Sequence, residues 1–281
     1  MSDQHVHGRP CAHIFAPAYD RPGGMLRLMA PAVIVPLTGT TSQMIVDEAR
    51  AGEAAGADVL EWRIDFILAS HKQLSFAPLG KEVLQPLLEA TSVPVLLTIR
   101  TAGQGGEAKL TQGRYRLLVA EMLDVLVHIG VPMQRIAIDI EHWFENLESL
   151  ARHAQELGAT VIVSHHDWHT TPDTDTLRLL YEELLQLPGV VAKLAVAAHN
   201  DADVQRLLDT TQAVAEESGR ALIAIAMGES GQRSRLEGWK YGSVATFATV
   251  KNSSAPGQPS LEQLRAALSD AQKFSTRPSV G

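Results

Sequence analysis

From Ala32 onward, short apolar runs alternate with longer amphipathic stretches. The runs are AVIVPLT (32–38), VLEWRID (59–65), PVLLTIR (94–100), RIAIDIE (135–141), TVIVSHHD (160–167), VVAKLAV (190–196), ALIAIAMG (221–228) and VATFATV (244–250). Most are rich in Val and Ile and nearly continuous, the pattern of strands buried on both faces of a parallel sheet. The clearest helices between them are predicted over 42–56, 113–130, 201–219 and 260–274. The first opens on a Ser cap and stops at Gly56. The second spaces Leu117, Val119, Leu123, Leu126 and Val127 near the helical period. The third opens on Asp and stops at Gly219. The fourth opens on Ser260, with Glu262 where a carboxylate favours a helix N-terminus.

Strands alternating with helices imply parallel neighbours, because parallel pairing requires crossovers. Eight such runs over the chain match closure into a (β/α)8 TIM barrel forming a single domain. The competitor is a doubly wound open sheet, which often carries a glycine fingerprint after its first strand when it binds a dinucleotide. Here that strand runs into LTGTTSQ, with one glycine. The expected organisation is an irregular leader over 1–31, a catalytic barrel over 32–274 and a tail over 275–281. Pro10, Pro17, Pro22 and the Gly23-Gly24 pair break periodicity in the leader. His5, His7 and His13 fit no metal-site spacing, so the leader reads as a mobile polar segment.

Composition narrows the function classes. Of 281 residues, 45% are hydrophobic and 20% charged, which is ordinary for a globular protein with a sizeable core, and the formal net charge is −8. An acidic balance argues against binding nucleic acid or an anionic membrane, although a few local Arg and Lys residues still suit one pocket to a small anion. The single cysteine, Cys11, allows no intrachain disulfide and reads as a loop thiol. No apolar run reaches the roughly 20 residues of a spanning helix, and the N-terminus does not resemble a secretory signal. A cytoplasmic enzyme is expected.

In such a barrel, chemistry sits at the C-terminal ends of the strands. Those ends carry Glu61, Arg63 and Asp65; Arg100; Asp139 and Glu141; Ser164, His165, His166 and Asp167; Lys193; Arg233 and Arg235; and Lys251, Ser254 and Gln258. Lys193 is the sharpest feature. It lies inside VVAKLAV, where burial disfavours the ammonium, and a neutral amine attacks a ketone or aldehyde to form an imine. The competing reading is a lysine that snorkels or pairs with Glu61 or Asp139. Strand alternation allows only one of His165 and His166 to face the pocket. A histidine there suits acid/base work near neutral pH, or is a hydrogen-bonded structural residue. Arg63, Arg100 and Arg235 are placed to line one anionic pocket, since a guanidinium grips a carboxylate bidentately. Singly, each reads equally as a salt-bridged arginine.

Together these segments resemble type I 3-dehydroquinate dehydratase. The carriers are LEWRID (60–65), TIRTAGQGGE (98–107), VSHHDWHTTP (163–172), VAKLAV (191–196), MGESGQRSR (227–235) and GSVATFATVKNSSAPGQ (242–258). The resemblance implies a cofactor-free dehydration of 3-dehydroquinate to 3-dehydroshikimate in the shikimate or quinate pathway, carried out by a homodimer. It assigns the imine to Lys193 and the acid/base role to His166. It places substrate binding at Glu61, Arg63, Arg100, Arg235, Ser254 and Gln258, with Arg235 on the substrate carboxylate.

Two positions depart from the family pattern. Pro36 stands where a serine of the first strand commonly touches substrate, so that hydrogen bond is lost or supplied by Thr38. Gln104 stands where a glutamate commonly faces the histidine. An amide orients an imidazole but lends no charge to imidazolium, so His166 is expected to be less basic than in relatives with glutamate. Two other readings share part of the pattern: a class I aldolase-like Schiff-base enzyme, and a non-catalytic binding or regulatory relative. The polar stretch 228–238 is placed where it could close over a pocket.

Overall fold

The computed structural model describes residues 10–26, 30–71, 75–142, 147–250 and 258–275. Eight parallel strands form one sheet: β1 (Ala32–Leu37), β2 (Val59–Arg63), β3 (Val95–Thr98), β4 (Ile136–Glu141), β5 (Thr160–Asp167), β6 (Val191–Ala197), β7 (Leu222–Met227) and β8 (Ala245–Phe247). Their order is β7-β6-β5-β4-β3-β2-β1-β8. Val244 N–H donates to Leu222 O at 2.8 Å across the remaining seam, beside a Leu222–Ser243 bridge, so the sheet curls into a (β/α)8 barrel.

Strand parity divides the core in two. Val33, Val35, Leu60, Trp62, Leu97, Ile138, Val163 and Leu194 point outward, where the helices cover them. Ala32, Ile34, Val59, Leu96, Ala137, Ile162, Val191 and Ile223 point inward and fill the lower barrel. One or two inward positions further along β2, β3, β4, β5 and β6, the residues turn polar, while β7 and β8 keep Ile225, Met227 and Phe247 on the cavity wall. That switch makes the lower half a packed floor and leaves the upper half for chemistry.

The helices lie close to their expected places, with their caps shifted. Helix Ser42–Ala54 is capped by Thr41, which accepts from Met44 N–H, and helix Asp201–Ser218 by Asn200, which accepts from Asp203 N–H. Before helix Leu261–Ser275, Ser260 and Gln263 bond reciprocally, a capping box in which Gln263 supplies the side chain. Helix Gln112–His128 buries Tyr115, Leu118, Val119, Met122, Leu123 and Leu126. Leu117 and Val127, expected on that stripe, fall off it and are 51% and 55% exposed.

Three other expectations change. The strand through Asp65 stops at Arg63, and Ile64–His71 is helical. This turn brings the Asp65 carboxylate back onto Arg63 and lets it accept Glu107 N–H at 3.0 Å. The described part of the leader is not wholly irregular. Cys11–Ile14 form one helical turn, and Cys11 and Phe15, a turn apart, are buried against the barrel floor. His5 and His7 lie outside the described residues. The stretch 228–238, expected as a polar loop, forms short helices, and Ser234 Oγ is bonded to Ala226 N–H at 2.9 Å and Gly231 O at 2.8 Å. No helix among the described residues is long and apolar enough to cross a membrane.

Candidate active site

Parity sets Glu61 and Arg63, Thr98 and Arg100, Asp139 and Glu141, Ser164 and His166, and Lys193 on the inner side of the barrel, above the apolar floor. One cavity opens there. Its lining includes every described candidate: Glu61, Arg63, Arg100, Gln104, His166, Lys193, Arg235 and Gln258. Ser254 lies outside the described residues, as does Lys251. Pro36 is buried on β1 opposite Glu61. Thr38 is not among the residues lining the cavity, and its backbone N–H donates to Glu48 Oε2 at 2.8 Å.

Lys193 is 4% exposed. Its Nζ lies 3.1 Å from Asp139 Oδ2 and 3.9 Å from Glu61 Oε1, with the Phe247 ring centroid at 4.7 Å. The apolar surroundings expected for this lysine are therefore joined by two carboxylates, and the ion-paired reading of it is correct as far as contacts go. Asp139 also meets Arg100 Nη2 at 2.8 Å and accepts from Ser164 Oγ at 2.6 Å. Burial pushes this carboxyl up, but Arg100, Lys193 and Ser164 outweigh it and hold Asp139 down at about 2.

Two of the three arginines are already paired. Arg63 grips Asp65 bidentately at 2.8 and 2.7 Å. Arg100 reaches Asp139, Glu141 Oε1 and Ser164 Oγ, the last two at 3.0 Å each. Burial opposes the charge of both, and their carboxylates more than compensate, raising them. Arg235 differs. It is 2% exposed, forms no ion pair among the described residues, and its Nε meets no acceptor there. Burial alone pushes its guanidinium down to about 10. A buried cation without a counter-ion is a pre-formed seat for an anion, and its planar fork matches a carboxylate.

Of the adjacent histidines, His166 faces the cavity, as alternation requires. His165 points outward and packs edge-on against His142, ring centroids 5.2 Å apart. Gln104 Oε1 lies 3.0 Å from His166 N and 3.0 Å from His166 Nδ1. The backbone N–H can only donate, so the amide must present its oxygen. Nδ1 must then carry the imidazole proton, which leaves the Nε2 lone pair available as a base. Burial, then the positive charges of Arg100 and Lys193, hold His166 well below the ordinary imidazole range.

Sequence reasoning did not single out Trp168, Phe247, Ile225 or Met227 of the lining. Nor did it see the supporting bonds from Thr98 Oγ1 to Glu61 (2.9 Å) and from Thr101 Oγ1 to Glu141 (2.7 Å). Inward parity on β7 and β8 would have found the apolar four except Trp168. The hydroxyl partners lie about 40 residues from their carboxylates and carry no local signal.

The model of a family described as Type I 3-dehydroquinase matches residues 33–275. The 3-dehydroquinate dehydratase of Alkaliphilus oremlandii is 33% identical over 241 residues, spanning 84% of this chain and 89% of that relative. Among solved structures, the 3-dehydroquinate dehydratase of Geobacillus kaustophilus superposes with a TM-score of 0.78 at 28% identity, covering 93% of this chain and 99% of that one. The type I enzyme of Clostridium difficile, solved with covalent modified comenic acid, gives 0.74 at 30% identity, covering 86% and 92%.

Proposed function

The chain belongs to the type I 3-dehydroquinase family, and from that premise we propose that it dehydrates 3-dehydroquinate to 3-dehydroshikimate through an imine on Lys193, with His166 as the acid/base. The observation that carries this reading is the convergence on one cavity of a buried lysine, an imidazole held through its Nδ1, and a buried guanidinium with no counter-ion among the described residues.

Arg235 takes the substrate carboxylate and so aims the ring ketone at Lys193. The Nζ lone pair attacks the carbonyl carbon, and loss of water from the adduct leaves a protonated imine. Asp139 and Glu61 face that positive charge. His166 Nε2 removes a proton from the carbon next to the imine carbon. The C–H electron pair forms a new C=C bond to the imine carbon while the C=N π pair moves onto nitrogen, giving an enamine. The enamine electrons then expel the neighbouring hydroxyl, which leaves as water with the proton carried by His166. Hydrolysis of the conjugated imine returns Lys193 and releases the enone. Gln104 keeps His166 in the tautomer this sequence needs, and Arg63, Arg100 and Gln258 complete the wall that holds the ring. A homodimer in the cytoplasm is part of the same proposal, and sedimentation of the purified chain tests the dimer.

The test is chemical trapping. The protein is incubated with 3-dehydroquinate, reduced with borohydride and mapped by mass spectrometry. A substrate-derived adduct on Lys193, with enone absorbance in the unreduced sample and both signals absent from Lys193→Ala, is expected. An adduct with sugar phosphates alone would replace this reading with an aldolase, and neither signal would replace it with a binding protein.

A further inference from the structure

The segment after β5 carries a motif, D-x-H-x-TP over 167–172, that the chemistry above does not use. Its residues tie one loop down. Asp167 Oδ1 accepts from His169 N–H at 2.8 Å and Thr170 N–H at 3.1 Å. Thr171 Oγ1 donates to Ala197 O at 2.7 Å at the end of β6, and Arg206 holds the carbonyls of Thr171 and Pro172 at 3.0 and 2.8 Å. Trp168 is the side chain this loop presents to the cavity. Its Nε1–H donates to Gln104 O at 2.8 Å. Its indole lies directly over Gly105, which takes a left-handed φ of +79° and leaves no room for a Cβ beneath the ring. The short turn Ala102–Gln104 is thus gripped at its carbonyl end by Trp168, while the Gln104 side chain grips His166 from the other end.

We propose that Trp168 is a positioning residue for the proton-transfer step, acting through Gln104 on the tautomer and aim of His166. The proposal rests on the dehydratase reading of this cavity. The indole N–H fixes the turn, the turn fixes the amide oxygen, and the amide oxygen fixes the imidazole. The lining role that Trp168 also has would show as substrate grip; the positioning role shows as coupling to Gln104.

The experiment is a double-mutant cycle on the full chain: the natural protein, Trp168→Phe, Gln104→Ala and the double variant. Phe removes the N–H together with part of the indole that covers Gly105, so the lost ring packing is common to both backgrounds and only the coupling to Gln104 is diagnostic. Trp168→Phe is expected to lower kcat about tenfold, the scale of one lost buried hydrogen bond, with KM within about twofold. In the Gln104→Ala background the same change is expected to cost less than about twofold, because the route it acts through is already gone. An equal loss in both backgrounds, or a loss confined to KM, overturns the proposal. If Trp168→Phe folds poorly, Thr171→Val loosens the same loop from behind without entering the cavity, and the same dependence on Gln104 is required of it. The 15N signals of the His166 ring in the free protein provide a reading independent of turnover. Nδ1 protonation in the natural chain and mixed tautomers in Trp168→Phe are expected, and an unchanged tautomer overturns the proposal. Absence of dehydration in the natural chain would instead reject the dehydratase reading.

Discussion

The two sides of the cavity treat positive charge in opposite ways. On the β2–β5 side, Arg63 is matched by Asp65 and Arg100 by Asp139 and Glu141. Lys193, reaching in from β6, shares Asp139 and Glu61 with that wall. On the β7–β8 side, Arg235 stands among Ile225, Met227 and Phe247 with burial as the sole influence on its guanidinium. The first wall is complete before any ligand arrives, so its energy goes into holding side chains at fixed places. The second carries a desolvation cost that no acidic partner among the described residues offsets. Paired and unpaired cations are thereby separated in space, which residue type alone did not reveal for three arginines.

One substitution made on each side breaks the symmetry most sharply. Arg100→Met strips Asp139 and Glu141 of their main cation while both remain buried, and it should lower unfolding stability by about 3–5 kcal/mol. Arg235→Met removes an unmatched buried charge and should leave stability unchanged or raise it by about 1–3 kcal/mol. Denaturant melts of the two variants measure this, and equal destabilisation would show that Arg235 has a partner after all. In turnover, Arg235→Met should raise KM by about 100-fold or more, as expected for loss of a buried carboxylate partner.

The matched wall also predicts an acid transition. Asp139 is held at about 2 against an ordinary 3.8. A depressed carboxyl stabilises the fold above its unfolded pKa and loses that contribution as pH falls through the folded one. The difference corresponds to about 2 kcal/mol, complete above about pH 4 and lost towards about pH 2. The stability gap between the natural chain and Asp139→Asn should therefore narrow by about this amount between roughly pH 5 and pH 2. A gap that is constant with pH would mean that Asp139 does not carry the charge assigned to it.

Legibility in the sequence followed the range of the forces involved. Strands and their inward faces were readable because period two and Val/Ile content are local, and the same parity allowed only one of His165 and His166 to face the pocket, the family resemblance naming which. Lys193 stood out as an amine inside VVAKLAV, but alone it read as readily as an ion-paired lysine, and the pairs with Asp139 and Glu61 are present. What was not readable depends on distant partners. Asp65 looked like a strand residue because its bond to Glu107 N–H, 42 residues on, is invisible locally. The stretch 228–238 read as a polar loop because its anchor at Ala226 is formed by a buried serine hydroxyl. The leader looked irregular because prolines masked the one-turn spacing of Cys11 and Phe15 against the floor.

Gln104 is where the two walls meet the chemistry, and changing its charge is the finest test of the comparison. In the natural chain a neutral amide faces His166 while burial, then Arg100, Lys193, His165 and Arg63, disfavour imidazolium. The base form is therefore present below the ordinary imidazole value of 6.5, and the acid limb of kcat/KM should lie on the acidic side of it. Gln104→Glu keeps an oxygen for both His166 donors and adds a negative charge at hydrogen-bond distance. A negative charge favours imidazolium, so His166 should titrate higher than in the natural chain. The acid limb should move up with it, making the variant the slower enzyme in mild acid. Above the limb, a stronger base should raise kcat a few-fold, by Brønsted behaviour. The pH–rate profiles of the two proteins measure both effects. An acid limb that stays in place would show that burial and the cations of the matched wall, rather than the group at position 104, set the basicity of His166.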